Sequence, residues 1–331
     1  MLSVYVKMFA INSYWRLFMA LNQERKKQIV ASLLLTLAAF IWGSAFVAQS
    51  EALDILGQFT FLASRSFLGV LALIPVSFII YKNGQKSGTG EHNEYKTFFS
   101  KDLILGGTFC GVVLFAASSL QQVGIISSGV GKSGFLTTLY ILAVPILGLF
   151  LKRKVKPFMW VCIALGVVGM YFLCVSETSA LNFGDFMLIL CAVCFGVHII
   201  IIDFFVKKVD GVRLSLVQFF VVGVLSLISA LIFETIDFSL IKAAFISIFY
   251  AGVLSSGVAY TLQIVSQKNL SPTVASLLMS LESVFAALSG AVFGERLTGN
   301  EIFGCILVFI AIILAQLPID NIKFKKPSTN H

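Results

Sequence analysis

The sequence predicts an all-α polytopic membrane protein in which ten transmembrane helices form two inverted five-helix repeats. Hydrophobic residues make up 58% of the 331 residues and charged residues only 12%, whereas soluble domains are about 25% charged. Apolar runs recur along the whole chain, each near the length of about 20 residues that crosses a bilayer as a helix. Segments of the two halves also align with each other at fixed offsets.

The apolar runs are continuous rather than alternating, which favours helices over the strands of a membrane barrel. In the first half they cover 29–49, 59–80, 103–120, 130–150 and 158–175. In the second half they cover 184–202, 214–233, 243–262, 274–293 and 302–318. We therefore predict a cytoplasmic N-terminal segment at 1–28, a first repeat at 29–176, a second repeat at 177–318 and a cytoplasmic basic tail at 319–331.

The cations indicate how these spans are oriented. A net charge of +8 would suggest a nucleic-acid partner in a soluble chain. Here, however, twenty Lys and Arg residues fall on one side of the predicted spans and only Lys132, Lys242 and Arg296 fall on the other. The positive-inside rule makes the rich side cytoplasmic. We therefore predict a multi-pass protein of the cell membrane with both termini in the cytoplasm, and no nucleic-acid partner.

The two halves resemble each other in sequence. An offset of 153 residues brings Trp42 and Gly43 onto Phe195 and Gly196. An offset of 142 residues aligns LQQVG, from Leu120, with LQIVS 142 residues later. We expect the two glycines where the first and sixth helices pack closely.

Two loops at matching positions carry different charge. FLKRKVKPF, Phe150–Phe158, has four cations, whereas FGERLTGNE, Phe293–Glu301, has one cation and two acids. Because each half holds five spans, the second half would enter the membrane from the opposite side, which puts the first loop in the cytoplasm and the second outside. Inverted repeats are typical of secondary transporters that bind their substrate near mid-membrane, between the halves.

No cofactor or metal site is expected. The six cysteines lie in apolar runs, where free thiols act as small hydrophobes. Cys191 and Cys194 have CxxC spacing, but without a second ligand pair this spacing favours packing over metal binding. No GxxxxGK[ST] phosphate loop occurs, so transport would be driven by a gradient or proceed as facilitated exchange.

Several motifs, taken together and in order, resemble the EamA-type permeases of the drug/metabolite transporter superfamily. They are FIWGSAFVAQ from Phe40, ASRSFLG around Arg65, LQQVG, GFLTTLYILAVPILGLF from Gly134 and SLESVFAALSGAVFGERLTG from Ser280. The resemblance implies a central cavity among helices one to four and six to nine. It also implies peripheral helices five and ten that support homodimers, and export of amino acids, other metabolites or drugs.

The chain departs from the family pattern at two places. Lys152 and Arg153 stand where a Gly-Glu pair is usual, and Ser283 replaces the proline that often follows the acid at Glu282. The second departure could alter a helix kink near the cavity.

Ionisable side chains within the spans are candidates for transport, because an unpaired polar group in hydrocarbon is costly. Glu282 is placed at mid-span, where desolvation favours the neutral acid and suits a proton-coupling site; a structural hydrogen bond is the alternative. Arg65 could hold a substrate carboxylate or phosphate, and the alternative is an ion pair with Glu51 or Asp54. Interfacial pairing with a lysine four residues later is expected for Asp203.

The predicted substrate site combines amides, aromatic rings and hydroxyls, a mixture that fits a small amphipathic substrate. For the aromatic rings the alternative is a core role, and for His198 and Ser280 it is helix packing. The predicted substrate-binding residues are Trp42, Gln49, Arg65, Gln121, Gln122, Tyr140, His198, Tyr260, Gln263 and Ser280.

These observations predict a secondary transporter that moves a small metabolite, an amino acid or related compound, or a drug, across the cytoplasmic membrane by alternating access and in the export direction. The lipid bilayer and a second copy of the chain are the other expected partners. The competing hypothesis is a membrane-embedded enzyme such as a lipid-modifying transferase. For such chemistry the loops offer only Glu91, His92 and Glu94, which do not form a recognisable catalytic set.

Overall fold

The computed structural model describes residues 2–87, 97–128, 130–174, 182–292 and 298–316, and the side chains at 2–22, 86–87, 130–132, 174 and 290–292 are outside that description. Three sequence predictions fall outside the described residues: the basic tail at 319–331, most of the loop that begins at Phe293, and the cluster of Glu91, His92 and Glu94.

All regular structure within the described ranges is helical, which confirms the all-α membrane class. The first half forms α1 (Leu2–Leu53), α2 (Gln58–Ser87), α3 (Lys101–Ser128), α4 (Val130–Thr138), α5 (Tyr140–Phe150) and α6 (Pro157–Cys174). The second half forms α7 (Phe183–Phe205), α8 (Gly211–Phe233), α9 (Phe238–Ala243), α10 (Phe245–Phe249), π1 (Tyr250–Ala259), α11 (Tyr260–Gln267), α12 (Pro272–Met279), α13 (Leu281–Val292) and α14 (Gly299–Gln316). The first predicted span is not separate from the segment before it, since α1 is continuous.

Nine stretches of the described chain are long and apolar enough to cross a membrane. They correspond to nine of the ten predicted spans. The remaining one, predicted at 158–175, is a shorter apolar helix at Pro157–Leu173, at the lower end of the 17 to 25 residues that span a bilayer. The exact number of ten spans therefore stays a prediction.

Two of the spans are interrupted near their centres. The span that contains α4 and α5 is divided at Leu139, and the span that contains α12 and α13 is divided at Ser280. At both interruptions a hydroxyl binds the preceding turn: Thr138 Oγ1 donates to the carbonyls of Gly134 and Phe135, and Ser280 Oγ donates to Leu277. Bonds of this kind bend helices. The span that contains α12 and α13 is therefore interrupted although no proline follows Glu282.

Glycines mark the closest helix crossings. A Cβ atom added to Gly43 would lie 2.5 Å from the carbonyl oxygen of Glu282, on α13, and one added to Gly196 would lie 2.9 Å from the Cβ atom of Ala143, on α5. The expectation that both glycines pack the first helix against the sixth is therefore wrong. Each glycine instead contacts an interrupted span of the other half, where the absence of a side chain lets the backbones approach.

A third glycine crossing joins α6 to α14. A Cβ atom on Gly304 would lie 2.5 Å from the carbonyl oxygen of Gly169, and one on Gly169 would lie 2.9 Å from the carbonyl oxygen of Gly304. The two helices therefore meet backbone to backbone at this point.

An ion-pair cluster lies at the C-terminal end of α7. Asp203 accepts hydrogen bonds from Lys207 Nζ at 2.9 Å and from Arg153 Nη1 at 2.7 Å. The first contact confirms the predicted i, i+4 pair. The second connects α7 to the loop after α5.

Candidate functional site

A partly open cavity lies among the interrupted spans and the helices around them. The empty space within it is about 490 Å³, and this volume includes the part of the cavity that is open to solvent. Its lining residues come from both halves of the chain: Trp42, Phe46, Gln49, Arg65, Gln121, Thr137, Tyr140, Phe195, Ile199, Ser255, Tyr260, Gln263, Met279 and Glu282.

Most of the predicted site residues meet at this cavity. Eight of them line it: Trp42, Gln49, Arg65, Gln121, Tyr140, Tyr260, Gln263 and Glu282. They come from six separate spans and are brought together only by the fold.

Arg65 is the buried cation of the cavity. Its Nη1 atom donates to the Gln49 side-chain oxygen at 2.7 Å, and its Nη2 and Nε atoms donate to the hydroxyls of Ser255 and Ser256, each at 3.2 Å. All three acceptors are neutral, and Glu51 and Asp54, the predicted ion-pair partners, are exposed. A guanidinium that stays charged and has only neutral acceptors can still bind an anion.

The helix that carries the two serines is held close to Arg65. They belong to π1, ten residues of π-helix, a conformation that is rare and frequent at functional sites. A Cβ atom on Gly252 would lie 2.9 Å from the carbonyl oxygen of Arg65. Only a residue without a side chain permits this approach, which brings both hydroxyls within reach of the guanidinium.

Glu282 is the buried acid of the cavity. It lies in the first turn of α13, directly after the interruption at Ser280, and its Oε1 atom accepts a hydrogen bond from the Tyr140 hydroxyl at 3.0 Å. Tyr140 is itself the first residue of α5, directly after the other interruption. The two broken spans thus meet through side chains at the starts of their second segments.

Aromatic rings form the wall next to these charged groups. The rings of Trp42 and Tyr260 meet edge to face with centroids 4.8 Å apart, and Phe219 packs on Tyr260 from behind at 5.2 Å. The indole Nε1 atom of Trp42 is buried without a hydrogen-bond partner among the described residues. A buried donor of this kind calls for a partner, which a substrate or water in the cavity would supply.

Three predicted site residues lie behind the cavity rather than at its surface. Gln122 donates to the Gln49 oxygen at 3.2 Å and so supports the residue that holds Arg65. His198 is fully buried, with Nε2 3.1 Å from the Gln218 side-chain oxygen. Ser280 binds its own helix at the interruption.

Six lining residues were missed by the sequence reasoning: Phe46, Thr137, Phe195, Ile199, Ser255 and Met279. Most are apolar or small and resemble lipid-facing residues in sequence. A signal was available for Phe195, which lies 153 residues after the predicted Trp42, one of the two offsets at which the halves align. Phe46, Ile199, Thr137 and Met279 pair at these offsets only with one another, so the offsets do not single them out.

No group of three or more His, Cys, Asp or Glu side chains among the described residues is arranged to hold a metal ion. The lining of the cavity offers hydrogen-bonding groups, the buried Arg65 and Glu282, and aromatic surface. These features suit reversible binding of a small organic molecule.

The family model of the EamA-like transporters matches residues 29–175 and again residues 182–317. The chain belongs to the EamA-like transporter family. It is therefore a member of the drug/metabolite transporter superfamily, as its motifs indicated, and a multi-pass membrane protein.

One relative supports the assignment, and one solved structure shares the fold. An uncharacterized transporter of Archaeoglobus fulgidus is 30% identical over 303 residues, which cover 89% of this chain and 89% of that protein. A protein of known crystal structure superposes with a TM-score of 0.69 at 16% identity, covering 86% of this chain and 96% of the other. The second likeness shows the fold alone. Family and relative together point to a transporter.

Proposed function

We propose that this EamA-like protein is a secondary transporter that exports a small zwitterionic metabolite, such as an amino acid, by alternating access. The observation that carries the proposal is one cavity containing both a buried guanidinium, Arg65, and a buried carboxyl group, Glu282. Tyr260 lines the same cavity as both groups. A carboxylate bound at Arg65 and an ammonium group near Glu282 would satisfy both.

The lining of the cavity supports the inverted repeat. Ten of its residues form five pairs at the sequence offsets: Trp42 with Phe195 and Phe46 with Ile199 at 153, and Gln121 with Gln263, Thr137 with Met279 and Tyr140 with Glu282 at 142. Two repeats related by an axis in the membrane plane would supply equivalent positions to a site between them. Such a site can be exposed to either side of the membrane by equivalent movements.

The glycine crossings favour a rocking movement. Gly43 packs α1 of the first half on α13 of the second, and Gly196 packs α7 of the second half on α5 of the first. These two contacts are equivalent under the repeat. Because few large side chains interdigitate at a close backbone crossing, one half can tilt against the other without disrupting side-chain packing there.

Glu282 is the proposed proton-coupling residue. Tyr140 and Glu282 occupy equivalent positions in the two repeats and touch each other. Equivalent positions that touch lie at the symmetry axis, so Glu282 would border the cavity whichever half has tilted. An acid with this access can take up a proton on one side and release it on the other.

Proteoliposomes with an imposed pH gradient test the coupling. We expect Glu282→Gln to lose gradient-driven accumulation of substrate while retaining exchange, because exchange needs binding but no net proton movement. Glu51→Gln, which removes an exposed acid at the end of α1, is the matched control and should accumulate substrate normally. An unchanged response of Glu282→Gln to the gradient would contradict the coupling role.

The orientation is proposed from the cation asymmetry, with both termini in the cytoplasm of the cell membrane. Cysteines introduced at Val155 and Thr298 of a cysteine-free variant should be labelled from opposite sides, the first from the cytoplasm and the second from outside. Labelling of both from one side would dismiss the inverted repeat.

A second candidate substrate class is a lipophilic cationic drug. The aromatic wall of Trp42, Tyr260 and Phe195, with Glu282 as counter-ion, favours this class. Toxicity and growth-rescue screening of an overexpressing strain against amino acids and antimicrobials separates the two. Protection confined to lipophilic cations would replace the zwitterion proposal.

A further inference from the structure

A second cavity lies at the other end of the interrupted spans, outside the proposed transport site. It is bounded by the end of α5, the start of α6, α7, the start of α12 and the end of α14. Its lining residues are Val144, Gly148, Arg153, Lys154, Val155, Lys156, Met159, Ile200, Ser271, Pro272, Thr273, Val274 and Ala315. None of them lines the central cavity.

The upper wall of this second cavity is basic. The chain turns sharply after α5, where Lys152 adopts a positive φ of 59° and the Arg153 N–H donates to the carbonyl of Gly148 at 2.9 Å. This turn ends α5, and the loop that follows it places Arg153, Lys154 and Lys156 at the cavity.

Asp203 is an acid close to this basic wall, and it binds both Arg153 and Lys207. One carboxylate is thus shared by two cations, and Lys154 adds a further positive charge at the cavity. Such a cluster of cations attracts anions.

The floor of the second cavity is apolar, with Val144, Met159, Ile200 and Val274 among its residues. Its surroundings are suited to hydrocarbon: Phe150 is 81% exposed and Val161 is 59% exposed. Trp160, partly buried in the first turn of α6 and next in the chain to the lining residue Met159, is of the type that lies at membrane interfaces. A wall of cations above an apolar floor matches a molecule with an anionic head and a hydrocarbon chain.

We propose that this cavity binds an anionic phospholipid of the cytoplasmic leaflet, with its phosphodiester at the basic loop and hydrocarbon along the apolar floor. Basic pockets between transmembrane helices on the cytoplasmic side are suited to such headgroups. The proposal uses the orientation given above but not the identity of the transported substrate.

The second cavity shares three elements with the transport site. α5, α7 and α12 line both cavities, and they carry Tyr140, Phe195 and Met279 toward the central one. A lipid held between their ends would bias the tilting of one half against the other. Transport should therefore depend on the anionic lipid content of the membrane.

Lipid retention by the purified full chain tests the site. The protein is reconstituted in vesicles of equal parts phosphatidylglycerol and phosphatidylcholine, extracted in detergent, and its retained lipid is measured by native mass spectrometry. We expect wild type to retain phosphatidylglycerol preferentially. The double variant Lys154→Gln, Lys156→Gln should lose roughly thirtyfold in this preference, since each surface lysine contributes about fivefold.

The matched control removes the same charge elsewhere. Lys82→Gln with Lys101→Gln takes two exposed lysines from the proposed cytoplasmic ends of α2 and α3 and should retain phosphatidylglycerol as wild type does. Equal loss in both double variants, or no preference in wild type, would overturn the proposal.

A competition arm distinguishes a lipid from a soluble anion. Millimolar glycerophosphoglycerol, the deacylated headgroup, carries the same single phosphodiester charge without hydrocarbon and should leave the retained phosphatidylglycerol in place. Displacement at that concentration would overturn the lipid assignment in favour of a soluble anion. As a second readout, wild-type exchange should be faster in the mixed vesicles than in pure phosphatidylcholine, and equal rates would contradict the proposed link to transport.

Discussion

Arg65 on α2 and Gln218 on α8 are equivalent positions of the two proposed repeats, 153 residues apart, yet their surroundings differ. Arg65 faces the cavity and is held by Gln49 and the hydroxyls of π1. Gln218 is fully buried away from the cavity, where it contacts His198. The equivalent of Gln49 is Ile202, which cannot hold a cation. Among the described residues that line the cavity, the positive charge therefore comes from the first half.

The buried acid of the cavity, in contrast, comes from the second half. Glu282 belongs to the second half, and its equivalent in the first half is Tyr140, which donates a hydrogen bond to it. The scaffold is thus repeated, whereas the charges are not. We therefore propose that the repeated framework provides the movement and that single-copy residues determine what is bound.

The largest effect is expected where the repeated framework itself is blocked. Gly43→Leu should abolish flux while leaving membrane insertion intact, because even a Cβ atom would lie 2.5 Å from the backbone of α13. Gly196→Leu, at the equivalent position, should have the same effect. Radiolabelled-substrate flux in proteoliposomes, normalised to inserted protein, measures both.

An alanine pair provides the control for this prediction. Gly43→Ala should lose most of its flux, whereas Gly134→Ala should keep it, because a Cβ atom there would meet only the Ser283 hydroxyl at 4.0 Å. Normal flux in Gly43→Leu or Gly43→Ala would contradict a close-packed moving contact.

The next effect concerns the single-copy cation. Arg65→Gln, which copies the residue found at the equivalent position, should weaken binding of a zwitterionic or anionic substrate by roughly a hundredfold, because a charge-assisted hydrogen bond is lost. Competition binding to the detergent-solubilised protein measures it. Arg213→Gln removes a buried arginine that binds the carbonyl of Phe98, away from the cavity, and should not alter affinity. Equal losses in the two variants would point to general destabilisation instead.

A smaller effect is expected for the contact between the two broken spans. Tyr140→Phe keeps the ring and removes the hydrogen bond to Glu282, and we expect roughly a tenfold loss of gradient-driven accumulation. Tyr171→Phe, on the exposed face of α6, is the matched control. Should accumulation by Tyr140→Phe equal that of the control, the contact would have no part in coupling.

The smallest effect concerns the hydroxyls around Arg65. Ser255→Ala removes an acceptor at 3.2 Å and should weaken affinity by about fivefold, the value of a typical net hydrogen bond. Ser229→Ala, whose hydroxyl binds only its own helix at Leu225, should have no effect. Titration of the substrate by isothermal calorimetry resolves a difference of this size, and identical affinities would remove Ser255 from the site.

The sequence was most informative where polar chemistry interrupts apolar runs. Gln49, Arg65 and Glu282 stood out because a polar group in hydrocarbon needs a reason to be there, and all three line the cavity. Phe46 and Ile199 could not be recognised in this way, since an apolar residue that faces a cavity resembles one that faces lipid. His198 carried the same signal as Glu282 but points toward α8, and only helix packing determines that direction.

The interruptions of the spans were equally hidden. Ser280 lies in a stretch without proline, and the sequence gives no sign that its hydroxyl binds the preceding turn instead of a substrate. The long π-helix that brings Ser255 to Arg65 has no sequence signature either. Both depend on backbone hydrogen bonds that tertiary packing selects.

The backbone crossing of Gly169 and Gly304 has a consequence for assembly. Small-residue surfaces of this kind are what transmembrane helices commonly use to recognise another chain, but here the two glycines are already occupied by each other within one molecule. A second copy approaching α6 and α14 would instead meet the branched side chains of Val161, Val168, Ile306 and Ile313, which are exposed. The interface of a homodimer formed on these helices would therefore be apolar and without close backbone packing. Its stability would depend on how well the surrounding lipids compete for the same surface.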